Sequence, residues 1–326
     1  MNPRRLSPAL AAGILLAVSG CGPDLAGQDP SDPSTVQQEA RSVDANAEAL
    51  TVANRFIAAV NTPGTEASAQ AILATLTEDV QHIGVFGRVH GKTELLPILM
   101  VAQATPGRHA TLTGSAGWSL DKNRIISVTH FDNSFTTPDG QTVTLPFRAL
   151  RALERQRDGS YLIRSEHTSI GAPLPPPPSA PSAPATDRAR TEVSAQELTV
   201  LMTSWQDSFN ARDLDSLLGR YARDIRFIYA FDGEEGMGRD ALRADINGTL
   251  AATPDVSVQL LQYDVVPLGD SAAMGLGFWQ DSFTGPDGQP VAVITQSSEI
   301  FVRSDGDDLW KIRWESTSFA PPPPAP

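Results

Sequence analysis

Two stretches of the chain carry the same succession of apolar patterns. In the later one, Ser194-Ala195-Gln196-Glu197 reads as a capping box, and Leu198, Leu201, Met202, Trp205 and Phe209 follow it on one helical stripe. Asp213 opens a second helix with Leu214, Leu217, Leu218 and Tyr221 turned inward. The run "DIRFIYAF" (Asp224–Phe231) then alternates as a strand, and a short helix is expected after Gly238. Four longer β segments complete the pattern, at about 256–268, 271–284, 289–304 and 309–318. Asp-Gly turns at Asp139-Gly140, Asp158-Gly159, Asp287-Gly288 and Asp305-Gly306 punctuate the last strands. The same order runs from near Val36 to Ile170. Helices followed by a run of antiparallel strands predict an α+β fold with the helices on one face of a curved sheet.

The two stretches are copies of each other. Arg164-Ser165-Glu166 and Arg313-Trp314-Glu315 lie 149 residues apart, and Pro138 and Pro286, within Phe-Thr-x-Pro-Asp-Gly-Gln, lie 148 apart. Gly91-Lys92-Thr93-Glu94-Leu95 answers to Gly238-Arg239-Asp240-Ala241-Leu242 at 147, and "FIAAVN" (Phe56–Asn61) to "WQDSFN" (Trp205–Asn210) at 149. Four anchors in one order at nearly constant spacing mean duplication of a whole domain rather than a short-period solenoid. A chain of 326 residues has room for two domains of this size.

The N-terminal segment carries a different signal. Arg4 and Arg5 precede an apolar run from Ala9 to Val18, and small residues lead to Cys21, the one cysteine of the chain. This reads as a secretory signal peptide, too short to span a membrane. Val18-Ser19-Gly20-Cys21 resembles the bacterial lipobox, which implies lipidation of Cys21 and a membrane anchor. Gly22 rather than Asp after the cysteine favours the outer membrane over the inner. The expected division is therefore a signal peptide at 1–20, a tether at 21–36, domains at 37–171 and 193–319, a Pro-rich linker at 172–192 and a Pro-rich tail at 320–326. Removing residues 1–20 takes two arginines and no acid, moving the formal net charge from −13 to −15. No run of Lys or Arg remains, so nucleic acid is not an expected partner.

The element order, the Gly-[Lys/Arg]-x-x-Leu step and the closing "DGSYLIRSEHTS" and "DDLWKIRWESTS" resemble the nuclear transport factor 2-like superfamily. Within it they are most similar to SnoaL-like and ketosteroid isomerase-like bacterial proteins, which often end in Asp-Gly-x-Trp-x-Ile-x-His-x-His-x-Ser. The resemblance implies two cone-shaped half barrels, each with a pocket between sheet and helices. It also implies that the outer sheet faces of the two copies can dock as an intramolecular pseudo-dimer. Members include isomerases, cyclases, dehydratases and non-catalytic binding domains, so fold does not select function.

Strand alternation places Tyr161, Ile163, Ser165 and His167 on one face, matched by Trp310, Ile312, Trp314 and Ser316. His167 falls at the family's last histidine; Ser165 and Trp314 replace the first. One strand over, Phe131, Asn133 and Phe135 align with Trp279, Asp281 and Phe283. Asp281 is thereby either a desolvated general base between aromatics or a solvated residue near the following turn. All 5 histidines (His82, His90, His109, His130, His167) belong to the first copy, without the tight spacing of a metal site. His82 and His130 align with Phe227 and Phe278; Arg148 aligns with Ser297 or a neighbour. The candidate proton carriers are His167 and Asp281, and the candidate ligand contacts are His130, Phe131, Asn133, Arg148, Trp279, Trp310 and Trp314. Trp314 is placed either in the pocket wall or against the other copy.

Neither a metal nor a cofactor is expected, since no phosphate loop, nucleophile elbow or Cys–His pair occurs. Two functions stand side by side: a lipid-anchored envelope protein that binds a small apolar or amphipathic molecule or a protein partner, and an enzyme of isomerase, cyclase or dehydratase type. The copies disagree at every polar candidate, which favours the first. Trp205, Trp279, Trp310 and Trp314 all fall in the second copy and mark it as the better apolar binder.

Overall fold

The computed structural model describes residues 33–84, 87–170, 194–229, 235–303 and 309–320. The first unit runs α1 (Pro33–Val60), α2 (Thr65–Leu73), β1 (Leu76–Gly84), β2 (Gly87–His90), α3 (Gly91–Gln103), β3 (His109–Asp121), β4 (Arg124–Thr136), β5 (Thr142–Arg155) and β6 (Tyr161–Ile170). The second repeats it: α4 (Ala195–Asn210), α5 (Leu214–Leu218), β7 (Tyr221–Tyr229), β8 (Glu235–Met237), α6 (Arg239–Ala252), β9 (Ser257–Pro267), β10 (Ala272–Thr284), β11 (Pro290–Arg303) and β12 (Trp310–Phe319). Strand order is β2-β1-β6-β5-β4-β3 in one sheet and β8-β7-β12-β11-β10-β9 in the other.

Local chemistry sets the element ends. The Ser194 hydroxyl accepts from the Glu197 amide at 3.3 Å and caps α4, and the Asp213 carboxylate caps α5 by accepting from Ser216 at 3.1 Å. Gly91 and Gly238 stand at φ 76° and 88° where α3 and α6 begin, a left-handed turn that a side chain would strain. The paired Leu95 and Leu242 then point into the two cores. This is the physical content of the repeated Gly-[Lys/Arg]-x-x-Leu step.

Three expectations change. The sheets are mixed rather than wholly antiparallel, because β1 lies parallel to β6 and β7 parallel to β12. Helix α5 ends at Leu218, so Tyr221 opens β7 instead of closing a helix. The third correction concerns faces. In each unit the last strand carries a β-bulge. Leu153 pairs Ile163 while Ala152 pairs Ser165, and Phe301 pairs Ile312 while Ile300 pairs Trp314. Arg164 and Arg313 are the extra residues, and they form ion pairs with Asp79 and Asp224 on the neighbouring strands. An extra residue reverses the alternation. Ile163 and Ile312 therefore face the helices, while Ser165, His167, Trp314 and Ser316 face the other way, and Glu166 and Glu315 turn inward.

The inner faces pack under the helices. In the first unit Val52, Leu76, Leu95, Leu153 and Ile163 form one part of this core and Ile57, Ile72 and Phe131 another. In the second, Leu198, Met202, Leu217, Ile225, Leu242, Phe301 and Ile312 are joined by Trp279 and Trp310. The outer faces pack on each other: Ile83, Trp118, Ile126, Val128 and Leu150 meet Val266, Met274, Leu276, Ile300 and Trp314 in one cluster. The Trp118 and Trp314 ring centroids are 6.0 Å apart, and the Arg226 guanidinium lies 4.8 Å over the Trp118 ring.

Candidate functional site

At the centre of each inner face, two adjacent strands place a pair of long polar side chains opposite one another. In the second unit these are Glu299 on β11 and Glu315 on β12. Tyr263 donates its hydroxyl to Glu299 Oε2 at 2.8 Å, and Tyr221 donates to Glu315 Oε2 at 2.8 Å. Trp205 Nε1 donates to the Tyr221 hydroxyl at 2.7 Å, and Trp279 Nε1 to Ser297 Oγ at 2.8 Å. Burial, and after it the neighbouring Glu315 carboxyl, pushes Glu299 up to about 8. Burial pushes Glu315 up to about 7 against the hydroxyls of Tyr221 and Thr317. The pair thus holds protons near neutral pH inside an aromatic wall, where Trp205 stacks on Phe209 at 5.4 Å and meets Trp279 edge-on at 5.3 Å.

In the first unit the same two positions hold Arg151 and Glu166. They form a buried ion pair, Arg151 Nε to Glu166 Oε2. His82 Nδ1 lies 3.1 Å from Glu166 Oε1, and Phe56 lies beneath the guanidinium at 4.3 Å. Burial alone would raise Glu166, but Arg151 and His82 together hold it down at about 2. Glu299 replaces Arg151, Phe227 replaces His82 and Trp205 replaces Phe56, so one scaffold carries opposite electrostatics in its two copies.

The structure divides the residues singled out from the sequence between two places. Phe131, Asn133, Trp279, Trp310 and Asp281 lie on inner faces. Phe131 stacks on Phe147 at 5.5 Å and meets Phe56 edge-on at 6.2 Å. Asp281 is half-buried, and desolvation raises its carboxyl to about 6 despite a bond from Thr295. His130, Arg148, His167 and Trp314 do not join them: they lie on the outer faces between the sheets. His167 Nδ1 is 2.9 Å from Ser298 Oγ and Nε2 2.9 Å from Ser318 Oγ, so both ring nitrogens are engaged by the other unit. Burial lowers its pKa to about 3, leaving a neutral ring. The bulge at Arg164 is what turns it away from the cone. Arg148 pairs with His130, and in the second unit Gln296 pairs with Phe278, so Gln296 rather than Ser297 is its counterpart. Cys21 lies outside the described residues. Among the described residues no cluster of three or more His, Cys, Asp or Glu could hold a metal ion.

Sequence reasoning missed Arg151, Glu166, Glu299, Glu315, Tyr221 and Tyr263. A signal was present, since Glu166 and Glu315 are the constant acid of the repeated Arg-x-Glu, Arg151 interrupts the apolar run of "ALRALER", and Glu299 directly precedes the apolar Ile300-Phe301-Val302.

A family profile described as a SnoaL-like domain matches residues 202–311. Among solved structures, a ketosteroid isomerase-like protein from Erwinia carotovora atroseptica SCRI1043 is similar at 18% identity over 39% of this chain and 97% of its own, with a TM-score of 0.34. An NTF2-like protein of unknown function from Pseudomonas putida KT2440 is similar at 20% identity over 38% of this chain and 84% of its own, with a TM-score of 0.34. A cystatin-like-fold protein from Caulobacter vibrioides is similar at 13% identity over 39% of this chain and 89% of its own, with a TM-score of 0.35. Among curated proteins, none matches this sequence. Residues 202–311 of the second unit thus match a SnoaL-like domain, and the first unit repeats the second's sheet order and element succession, so the chain is a tandem of two units of one α+β architecture.

Proposed function

We propose that the protein is a lipid-anchored envelope component whose second unit binds a small apolar or amphipathic molecule between sheet and helices. The observation that carries this reading is the polar strip of Glu299, Glu315 and half-buried Asp281 on an inner face walled by Trp205, Trp279 and Phe283. An apolar wall with a few convergent polar groups is the usual composition of a small-molecule site. A steroid-like ligand or hydrophobic dye is expected to quench tryptophan fluorescence of the full chain. Trp279→Ala is expected to weaken that binding about tenfold, the effect of losing one large aromatic contact. Quenching that persists at unchanged affinity in the variant would remove this site from consideration.

A second reading, general acid–base catalysis, is favoured by one observation. Asp281 has its carboxyl raised to about 6, within the range where a base is efficient near neutrality, and lies on the same inner face as Glu299 and Glu315, whose carboxyls burial raises to about 8 and about 7. Turnover of an enolisable ketone that is lost in Asp281→Asn with ligand binding intact would favour catalysis over simple binding.

The anchor reading rests on Val18-Ser19-Gly20-Cys21. Among the described residues no helix is long and apolar enough to cross a membrane. Attachment would come from acyl chains on Cys21, more than one being needed for stable anchoring. Cys21→Ser is expected to abolish palmitate labelling and move the protein out of the membrane fraction; unchanged membrane association would refute the anchor.

A further inference from the structure

Among the described residues, Arg151 is the largest fully buried side chain, at 0% exposure. Its Nε is on Glu166 and its plane lies over Phe56, yet Nη1 and Nη2 reach no hydrogen-bond partner. Buried guanidinium groups normally have their donors satisfied, because an unmade bond in the dry interior is costly. The neighbouring inner-face positions are polar as well. Ser127 stands opposite Arg151 on β4, and one pleat further Thr129 stands opposite Ser115 on β3. Thr129 Oγ1 and Ser115 Oγ are also buried without a partner, as is Asn133 Oδ1 further along β4. Phe56, Phe131, Leu112 and Phe147 supply apolar surface on the same side.

The second unit offers no such vacancy at the matching place. There Glu299 accepts from Tyr263, Glu315 from Tyr221, and Ser297 from Trp279. The positions matching Arg151 and Glu166 are thus satisfied within the second unit, where Trp310 Nε1 elsewhere on the inner face has no partner.

Charge decides the class of ligand. Glu166 already pairs with Arg151, so a second carboxylate would have to stand beside the Glu166 carboxylate in a dry site. An uncharged oxygen acceptor satisfies the guanidinium without that penalty. We propose that the inner face of the first unit binds a small, uncharged, largely apolar molecule through a carbonyl oxygen that accepts from Nη1 and Nη2 of Arg151, with the hydroxyls of Thr129 and Ser115 beside it. This is a second site of different chemistry from the aromatic one in the second unit, and it stands or falls separately.

Acetophenone, its deoxygenated analogue ethylbenzene and the anion benzoate, titrated into the full chain by ligand-observed NMR, provide the test. Acetophenone is expected to bind at least about tenfold more tightly than ethylbenzene, as one hydrogen bond to a charged group warrants, and more tightly than benzoate. The paired variant Arg151→Met/Glu166→Gln, which removes both charges together, is expected to erase the preference for acetophenone. Thr129→Val is expected to weaken acetophenone about threefold with the fold intact, and it serves should the paired variant not fold. Equal binding of acetophenone and ethylbenzene, or no binding of either, overturns the proposal. Tighter binding of benzoate overturns the uncharged class. A preference abolished by Trp279→Ala but kept in the paired variant would place the ketone in the second unit, refuting this site while sparing the reading of that unit.

Discussion

Glu166→Gln will destabilise the protein by about 3–5 kcal/mol at neutral pH, the range for stranding one member of a buried ion pair. Glu299→Gln, at the equivalent of Arg151 in the other unit, will do the opposite and stabilise it at pH 8. The contrast follows from the partners. Glu166 is ionised against Arg151, and removing its charge leaves a guanidinium with no counter-ion in the core. Glu299 has Glu315 opposite it, and no cation is among the groups acting on either carboxyl. The pH dependence has opposite sign at the two sites. Glu166 is depressed to about 2 from 4.5, so its contribution is present above 4.5 and is lost as pH falls toward 2. Glu299 and Glu315 are raised to about 8 and about 7 from 4.5, so their contribution is present below 4.5 and drains away as pH rises through that window. Urea unfolding of wild type and the two variants at about pH 3, 6 and 8 reads both effects, the acid step for Glu166 and the alkaline step for Glu299. A loss below about 1 kcal/mol for Glu166→Gln would mean that the pair is solvated. An unchanged alkaline limb in Glu299→Gln would mean that the second pair is ionised and wet.

Trp314→Ala will cost about 3–5 kcal/mol and loosen the two units from each other. The indole sits between the sheets beside Trp118, with Arg313 5.4 Å from its ring. Truncation removes the side chain that spans the contact and leaves an apolar void among Ile83, Met274 and Ile300. We propose that this face-to-face packing is the state in solution, a pseudo-dimer made within one chain. The alternative would present both outer faces, with Trp118, Leu150, Leu276 and Trp314, to water as contiguous apolar patches. His167 reinforces the docking, since its two hydrogen bonds both go to the second unit. Residues 37–326 are expected to sediment as a monomer and to scatter as one compact body. The Trp314→Ala variant should scatter as two loosely linked bodies and unfold in two separable transitions. If wild type and variant share one radius of gyration and differ in stability by less than about 1 kcal/mol, the sheets do not pack in solution.

Much of the fold was legible because it is written in local patterns. The expected β segments at about 256–268, 271–284, 289–304 and 309–318 became Ser257–Pro267, Ala272–Thr284, Pro290–Arg303 and Trp310–Phe319. The capping residues Ser194 and Asp213 and the glycines at 91 and 238 act where their chemistry says they should. Half of the site was legible on the same grounds. Phe131, Asn133, Trp279 and Asp281 reach the inner faces because β4 and β10 alternate without interruption against β5 and β11. The other half failed at a single residue in each copy. Arg164 and Arg313 look like ordinary strand residues, and nothing local marks them as bulged. Each bulge lies in a strand that pairs antiparallel on one side and parallel on the other, and its arginine reaches an aspartate on the parallel strand.

By itself, the sequence determined the duplication, through anchors repeated at nearly constant spacing, and the order of helices and strands, the bounds of the long strands and the α+β class, because these depend on periodicity and turn chemistry within a few residues. Tertiary structure alone decided which face of the last strand the helices cover, and with it the fate of His167, Glu166 and Glu315. His167 became a neutral link between sheets, Glu166 an ion-pair partner, and Glu299 and Glu315 a proton-holding pair. The physical reason is that ionisation and hydrogen bonding in a protein interior follow from desolvation and from partners a dozen or more residues away. Neither is encoded at the residue that feels them.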